Sequence, residues 1–142
     1  MHSTRAGAPV APPRVRVGCD LQRVAEVSES VALFGARYLD RVFTPVERAL
    51  CTGSHSAERL AGRWAAKEAV AKVLRVPSSA SLPWSSIEIG AEESGAPTVS
   101  LLGPAAELAA QAGLSHIDVS ITHDGGFALA FAAAIEQEEC AA

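Results

Sequence analysis

Apolar and polar positions divide this chain into elements before any chemistry is considered. From Val15 to Leu21 the apolar side chains alternate, with Val15, Val17, Cys19 and Leu21 on one face and Gly18 and Asp20 on the other, which is the two-residue period of a strand. Asp20 therefore leaves a strand beside a bare glycine, where it either caps the helix that follows or serves a site. Val24, Val27 and Val31 then recur at helical spacing between Gln22 and about Leu33, and a second short helix is expected from Tyr38 to Phe43, beyond Gly35. Thr44-Pro45-Val46-Glu47 is a capping-box pattern with Pro at the first helical position, opening a helix that ends near Thr52-Gly53.

The longest helical pattern is Ala57 to Leu74, AERLAGRWAAKEAVAKVL, composed of strong helix formers, with Ser56 as N-cap and Gly62 as its one weak position. At about 100° per residue, Glu68 falls on the face of Ala57, Ala61, Trp64, Ala65 and Ala71, with Lys72 one turn further on. A carboxylate on that mostly apolar face is costly unless a cation, a donor or a metal holds it. The other reading is an ordinary exposed Glu68–Lys72 pair.

After a loop rich in Ser and Pro, two hairpins are expected. Ser86–Gly90 returns as Thr98–Leu101 around Gly95-Ala96-Pro97, and Ile117–His123 returns as Phe127–Ile135 around Asp124-Gly125-Gly126. A short helix stopped by Gly113 separates them. Together these elements predict an α+β fold, with a mainly antiparallel sheet packed on a long central helix.

Composition narrows the picture. A chain of 142 residues suits one domain, expected here over 14–136, between a flexible Pro-bearing tail at 1–13 and a frayed tail at 137–142. Aromatics are only 5% of the residues and alanine is abundant, so backbones should approach closely in a thin core. A net charge of −4 argues against nucleic acid as a partner. Three cysteines without CxxC spacing suggest neither a disulfide framework nor a zinc site, and fit a reducing cytoplasm. No run is long and apolar enough to span a membrane, and the N-terminus lacks the apolar run of a signal peptide.

Gly-rich phosphate loops, GxSxG and HExxH are all missing, which removes the NTPase, esterase and zinc-protease readings. What remains is Asp20 on a strand, Glu68 and Lys72 on a helix, and His123 at a strand end. Two carboxylates from separate elements suit a hard cation such as magnesium, and Lys72 offers a point charge to phosphate.

Read in chain order, four stretches carry a resemblance: Gly18-Cys19-Asp20; Arg63 with Lys67-Glu68-Ala69 and Lys72; Gly95-Ala96-Pro97; and Val119-Ser120-Ile121-Thr122-His123. They resemble the G-x-D, R-x-x-x-K-E-A-x-x-K, G-x-P and V-S-I-T-H motifs of the short holo-acyl-carrier-protein synthase class of 4′-phosphopantetheinyl transferases, over most of the chain. The resemblance implies the fold of that family and transfer of the 4′-phosphopantetheine arm of coenzyme A to a serine of an acyl or peptidyl carrier protein, with adenosine 3′,5′-bisphosphate leaving. It implies that Asp20 and Glu68 hold magnesium, that Lys72 meets the phosphate, and that Arg63, Lys67 and His123 bind the coenzyme. The general base is Glu68 or a water held by the metal. A homotrimer with each site at a subunit interface is implied as well.

Two positions depart from the family pattern. Glu26 stands where the family commonly has an Arg that meets the carrier protein, and Arg75-Val76-Pro77-Ser78-Ser79 replaces a Gly-rich turn. The competing readings are a non-catalytic carrier- or coenzyme-binding module of the same fold, and a structural assembly subunit whose Ala-rich last strand packs against other copies.

Overall fold

Small side chains set the position of the long helix. In the computed structural model, which describes residues 7–9 and 11–137, this helix is α4, Ser56–Leu74. It lies on an antiparallel sheet made of β1 (Arg14–Arg23), β4 (Leu114–Asp124) and β5 (Phe127–Glu136), in the order β1-β5-β4. The first strand pairs with the last along its whole length, from Arg14 opposite Glu136 to Arg23 opposite Phe127. Under the helix, Ala128, Ala130, Ala132 and Ala134 of β5 are buried against Ala61, Ala65 and Ala69. Methyl groups on both sides let the two layers approach closely.

Glycines bring the flanking strands to the helix. A methyl group on Gly18 of β1 would stand 2.2 Å from the Ala69 carbonyl oxygen. One on Gly62 of α4 would stand 2.9 Å from Ile121 Cγ2 and 3.0 Å from His123 Nε2 on β4. The weak position in the helix pattern is thus where β4 touches it.

Around this centre lie α1 (Val24–Phe34), α2 (Ala36–Val42), α3 (Pro45–Leu50) and α5 (Gly103–Gln111), with a separate hairpin of β2 (Ile87–Ala91) and β3 (Pro97–Leu101). The expected hairpins both form. Gly125 and Gly126, at φ of 55° and 81°, make the β4–β5 turn, a conformation that favours glycine at both central positions. None of the helices among the described residues is long and apolar enough to cross a membrane. The N-terminal tail expected at 1–13 lies largely outside the described residues, of which 7–9 and 11–13 are neither helix nor strand. The tail expected at 137–142 also lies outside them, apart from Gln137, whose N–H donates to Gly113 O at 3.1 Å.

One expectation is corrected at β1, and the face it turns to the core is decided. The strand continues to Arg23, so Gln22 lies in the sheet and Asp20 pairs opposite Ala130 instead of capping α1, whose N-cap is Arg23. In addition, the polar face of β1 is the one turned to the helix. Gly18 is buried and Asp20 and Gln22 are partly buried, whereas Val15, Val17 and Leu21 are more than half exposed. Leu129, Phe131 and Ile135 of β5 extend this apolar outer face.

Lys67 is also corrected. Expected to bind the coenzyme, it is fully buried, with its Nζ donating to Glu47 Oε1 at 2.7 Å, to Trp84 O at 2.8 Å and to Ile87 O. Every donor of the ammonium is used inside the protein, so no surface is left for a ligand. Glu47 is equally occupied. It completes the expected capping box by accepting from Thr44 N at 2.8 Å, while Glu47 N donates to Thr44 Oγ1 at 3.2 Å and Glu47 Oε2 accepts from Ile89 N at 2.8 Å. One side chain therefore joins α3, α4 and β2. Burial lowers the Lys67 pKa and the Glu47 carboxylate opposes that shift. Removing one partner leaves the other charge buried and unpaired, so Lys67→Met should destabilise the fold by about 3–5 kcal/mol in a urea melt. A loss within about 0.5 kcal/mol would contradict this account.

Candidate active site

Asp20 and Glu68 meet where β1 runs along α4. Gly18, two residues before Asp20, lets the strand come down onto Ala69 and Lys72, and this brings the Asp20 carboxylate beside Glu68. The amide of Gln22 spans the two, its Nε2 donating to Asp20 Oδ2 at 2.7 Å and to Glu68 Oε2 at 3.2 Å. Lys72 reaches across from the helix, with Nζ 2.7 Å from Cys19 O and 3.4 Å from Asp20 Oδ1. Lys72 thus pairs across to the strand, in place of the i,i+4 pair with Glu68 that the helix pattern allowed.

The electrostatics follow from this crowding. The Glu68 pKa is pushed up to about 7, first by burial, then by the Asp20 charge and a hydrogen bond with Asp20, against smaller opposing effects of Lys72 and Gln22. Tyr38, half-buried, has its pKa raised by burial and then by the Glu68 charge. Two close carboxylates that resist sharing negative charge are a place where a cation is stabilising. Among the described residues no group of three or more His, Cys, Asp and Glu side chains could hold a metal, so a metal here rests on a pair of carboxylates. That donor set fits magnesium, which takes one or two carboxylates and completes its shell with phosphate and water. Beside the pair, a cleft of about 340 Å³ is lined by Glu68, Ala71, Lys72, Arg75, Val76 and Trp84. Arg75 caps α4 at φ 54°, the left-handed conformation that a glycine would take without strain.

Arg63 and His123 lie elsewhere. Arg63 Nε donates to Ile89 O at 3.1 Å, and both side chains line a cavity of about 580 Å³ together with Arg59, Gly62, Gly95 and Pro97. Nine residues separate Arg63 from Lys72, which at about 100° per residue puts them on opposite sides of α4. The sheet order gives the same division, with β1 along one flank of the helix and β4 along the other. Of the residues expected to form one site, Asp20, Glu68 and Lys72 come together, Arg63 and His123 form a second group, and Lys67 belongs to the core. Gln22 and Arg59 were not singled out from sequence. Strand alternation places Gln22 on the Asp20 face once β1 is known to continue, and Arg59 is one helical turn before Arg63.

Comparison with known proteins decides the family. The model of the 4′-phosphopantetheinyl transferase superfamily matches residues 16–132. The chain belongs to this superfamily. Its relatives place it in the holo-[acyl-carrier-protein] synthase class. The chain is 40% identical over 124 residues to the holo-[acyl-carrier-protein] synthase of Desulforudis audaxviator, covering 87% of this chain and 94% of that one. Among solved structures, a Chronobacterium ammoniagenes ACPS–CoA complex is similar at a TM-score of 0.78 and 30% identity, covering 88% of this chain and 99% of that one. The Helicobacter pylori holo-[acyl-carrier-protein] synthase in complex with coenzyme A is similar at a TM-score of 0.73 and 30% identity, covering 83% and 98%. The transferase fold and enzyme class implied by the motifs are thus those of this chain.

The raised Glu68 pKa has a measurable consequence. A carboxyl group whose pKa is higher folded than unfolded binds more protons in the native state between the two values, so stability falls as pH rises through that window. In chelator, the melting temperature of this transferase should fall between about pH 4.5 and about 7. Glu68→Gln should flatten that part of the profile. A wild-type profile that is flat or rising over the same window, with no difference in the variant, would refute the assignment.

Proposed function

We propose that this transferase moves the 4′-phosphopantetheine arm of coenzyme A onto a serine of an acyl or peptidyl carrier protein, with adenosine 3′,5′-bisphosphate leaving. The observation that carries the reading is the convergence of Asp20, Glu68 and Lys72 across the β1–α4 contact. Asp20 and Glu68 would hold a magnesium ion, which when bound would screen the pyrophosphate and stabilise charge on the leaving phosphate. Lys72, whose side chain is more than half exposed, meets the phosphate on which charge grows in the transition state. Arg75 in the adjoining cleft adds a second cation where the family commonly has a Gly-rich turn. Glu68 Oε accepts the serine proton.

Arg63 and His123 bind the coenzyme, their cavity supplying cationic and imidazole donors between two glycine-bearing walls. Because this cavity and the carboxylate pair lie on opposite flanks of α4, one copy offers the coenzyme half and another the metal half. The exposed apolar face of β1 and β5 supports association of copies, in keeping with a homotrimer whose sites lie at subunit interfaces.

The test is intact-mass analysis of an apo-carrier after incubation with this protein, coenzyme A and magnesium. The carrier should gain the mass of phosphopantetheine. Chelator, Asp20→Ala and Glu68→Ala should each lower the rate by roughly a hundredfold or more. Full modification by either variant in chelator would sink the metal assignment.

Carrier choice turns on Glu26. It is exposed in the first turn of α1, with its Oε1 3.9 Å from Arg23 Nε. A Glu where the family commonly has Arg repels carriers that are acidic around their serine, so the preferred carrier is one with a less acidic docking helix. Glu26→Arg should speed modification of an acidic carrier by roughly fivefold at low salt, chiefly through association, and the gain should shrink as salt rises. Equal rates for both proteins at every salt concentration would place Glu26 away from the docking surface.

A further inference from the structure

The cavity of about 580 Å³ on the β4 flank of α4 carries charge of one sign only. Arg59, Arg63 and His123 all line it, and among the described residues that do so none is Asp or Glu, although the whole chain has a net charge of −4. Arg59 and Arg63 stand one turn apart on α4, where like charges weaken a helix. His123 comes to the same stretch from β4, its Nε2 placed so that a methyl group on Gly62 would stand 3.0 Å from it. The ion pairs made by arginines among the described residues belong to Arg16, Arg23 and Arg48, so neither cavity arginine has a carboxylate to neutralise it. Repulsion gathered in this way is relieved by an anion.

Backbone carbonyls fix the two guanidinium groups in place. Arg59 Nη1 donates to Thr52 O at 2.6 Å, before α4, and Arg63 Nε donates to Ile89 O at 3.1 Å, on β2. The first contact leaves Arg59 its Nη2 and Nε, an edge that can grip two oxygens of a phosphate at once.

Coenzyme A offers such an anion. Its phosphates fall in two places: the pyrophosphate, which the reading above puts at Asp20, Glu68 and Lys72, and a phosphate monoester on the 3′ oxygen of the ribose. Only the second remains for a cavity on the other flank of α4, and near neutrality it carries about two negative charges.

We propose that Arg59 is a specificity-determining residue of this transferase, gripping the 3′-phosphate beside Arg63 and His123 so that the chain selects the 3′-phosphorylated coenzyme over its dephosphorylated form. The inference rests on the coenzyme reading of this cavity and deepens it. Arg59 precedes the stretch from Arg63 to Lys72 by one turn, so the motif carried by that stretch does not account for it.

The experiment measures binding of two nucleotides that differ by this phosphate alone, adenosine 3′,5′-bisphosphate and adenosine 5′-monophosphate, by isothermal titration calorimetry with magnesium present throughout. Wild type, Arg59→Gln and Arg59→Lys are compared, with folding checked by thermal melts; Arg59 is exposed, so neither change opens the core. Wild type should bind the bisphosphate more tightly than the monophosphate. Arg59→Gln should weaken the bisphosphate roughly tenfold and the monophosphate by less than about twofold, and Arg59→Lys, which keeps the charge without the fork, should fall between wild type and Arg59→Gln. Equal weakening of both nucleotides in a folded Arg59→Gln, or no weakening of either, would overturn the proposal while leaving the cavity a coenzyme site, since Arg59 would then shape the wall or face solvent. Binding of neither nucleotide by wild type, by contrast, would remove the coenzyme reading itself.

Discussion

The structure depends on how closely α4 can lie on its sheet. Alanines on β5 and on the helix remove side-chain bulk from the middle of the contact, and Gly18 and Gly62 remove it at the flanks. Only then can the backbone of β1 reach Ala69 and the imidazole of His123 on β4 lie against Gly62. A low aromatic content, which at first sight describes a poor core, is the condition for this contact. Larger side chains would gain buried area at the cost of the spacing that lets carboxylates from a strand and a helix meet.

Consecutive residues on α4 show how burial separates structural from chemical charge. Lys67 points inward and is saturated by Glu47 and two carbonyl oxygens, and Glu47 is saturated in turn by two backbone N–H groups and the ammonium. Such a network fixes α3, α4 and the β2–β3 hairpin relative to one another. Glu68, one residue on, is only partly buried and faces another carboxylate, with a single amide and a neighbouring Lys to soften the repulsion. The first arrangement has no free valence. The second is left with an electrostatic demand, and groups in that condition are what a site uses to attract a cation or take up a proton.

Motif and periodicity together made the element order, the α+β class, both hairpins and the α3 capping box legible in the sequence, because each is a local pattern of turn residues, caps and spacing. Asp20, Glu68 and Lys72 were legible as chemistry from local pattern too: Glu68 stood on a mostly apolar helix face with Lys72 one turn further on, and Asp20 left a strand beside a bare glycine. The pairing of the first strand with the last, the outward turn of the apolar face of β1 and the burial of Lys67 were decided by tertiary structure alone. Strand alternation says which residues share a face but not which face meets the core, and a lysine looks the same in sequence whether a distant Glu47 awaits it or not. Tertiary structure also split the expected site, because residues close in one helix can face opposite flanks of it once a sheet lies beneath. It made Gln22 visible too, by carrying β1 one turn of the pleat further than a helix-forming sequence allowed.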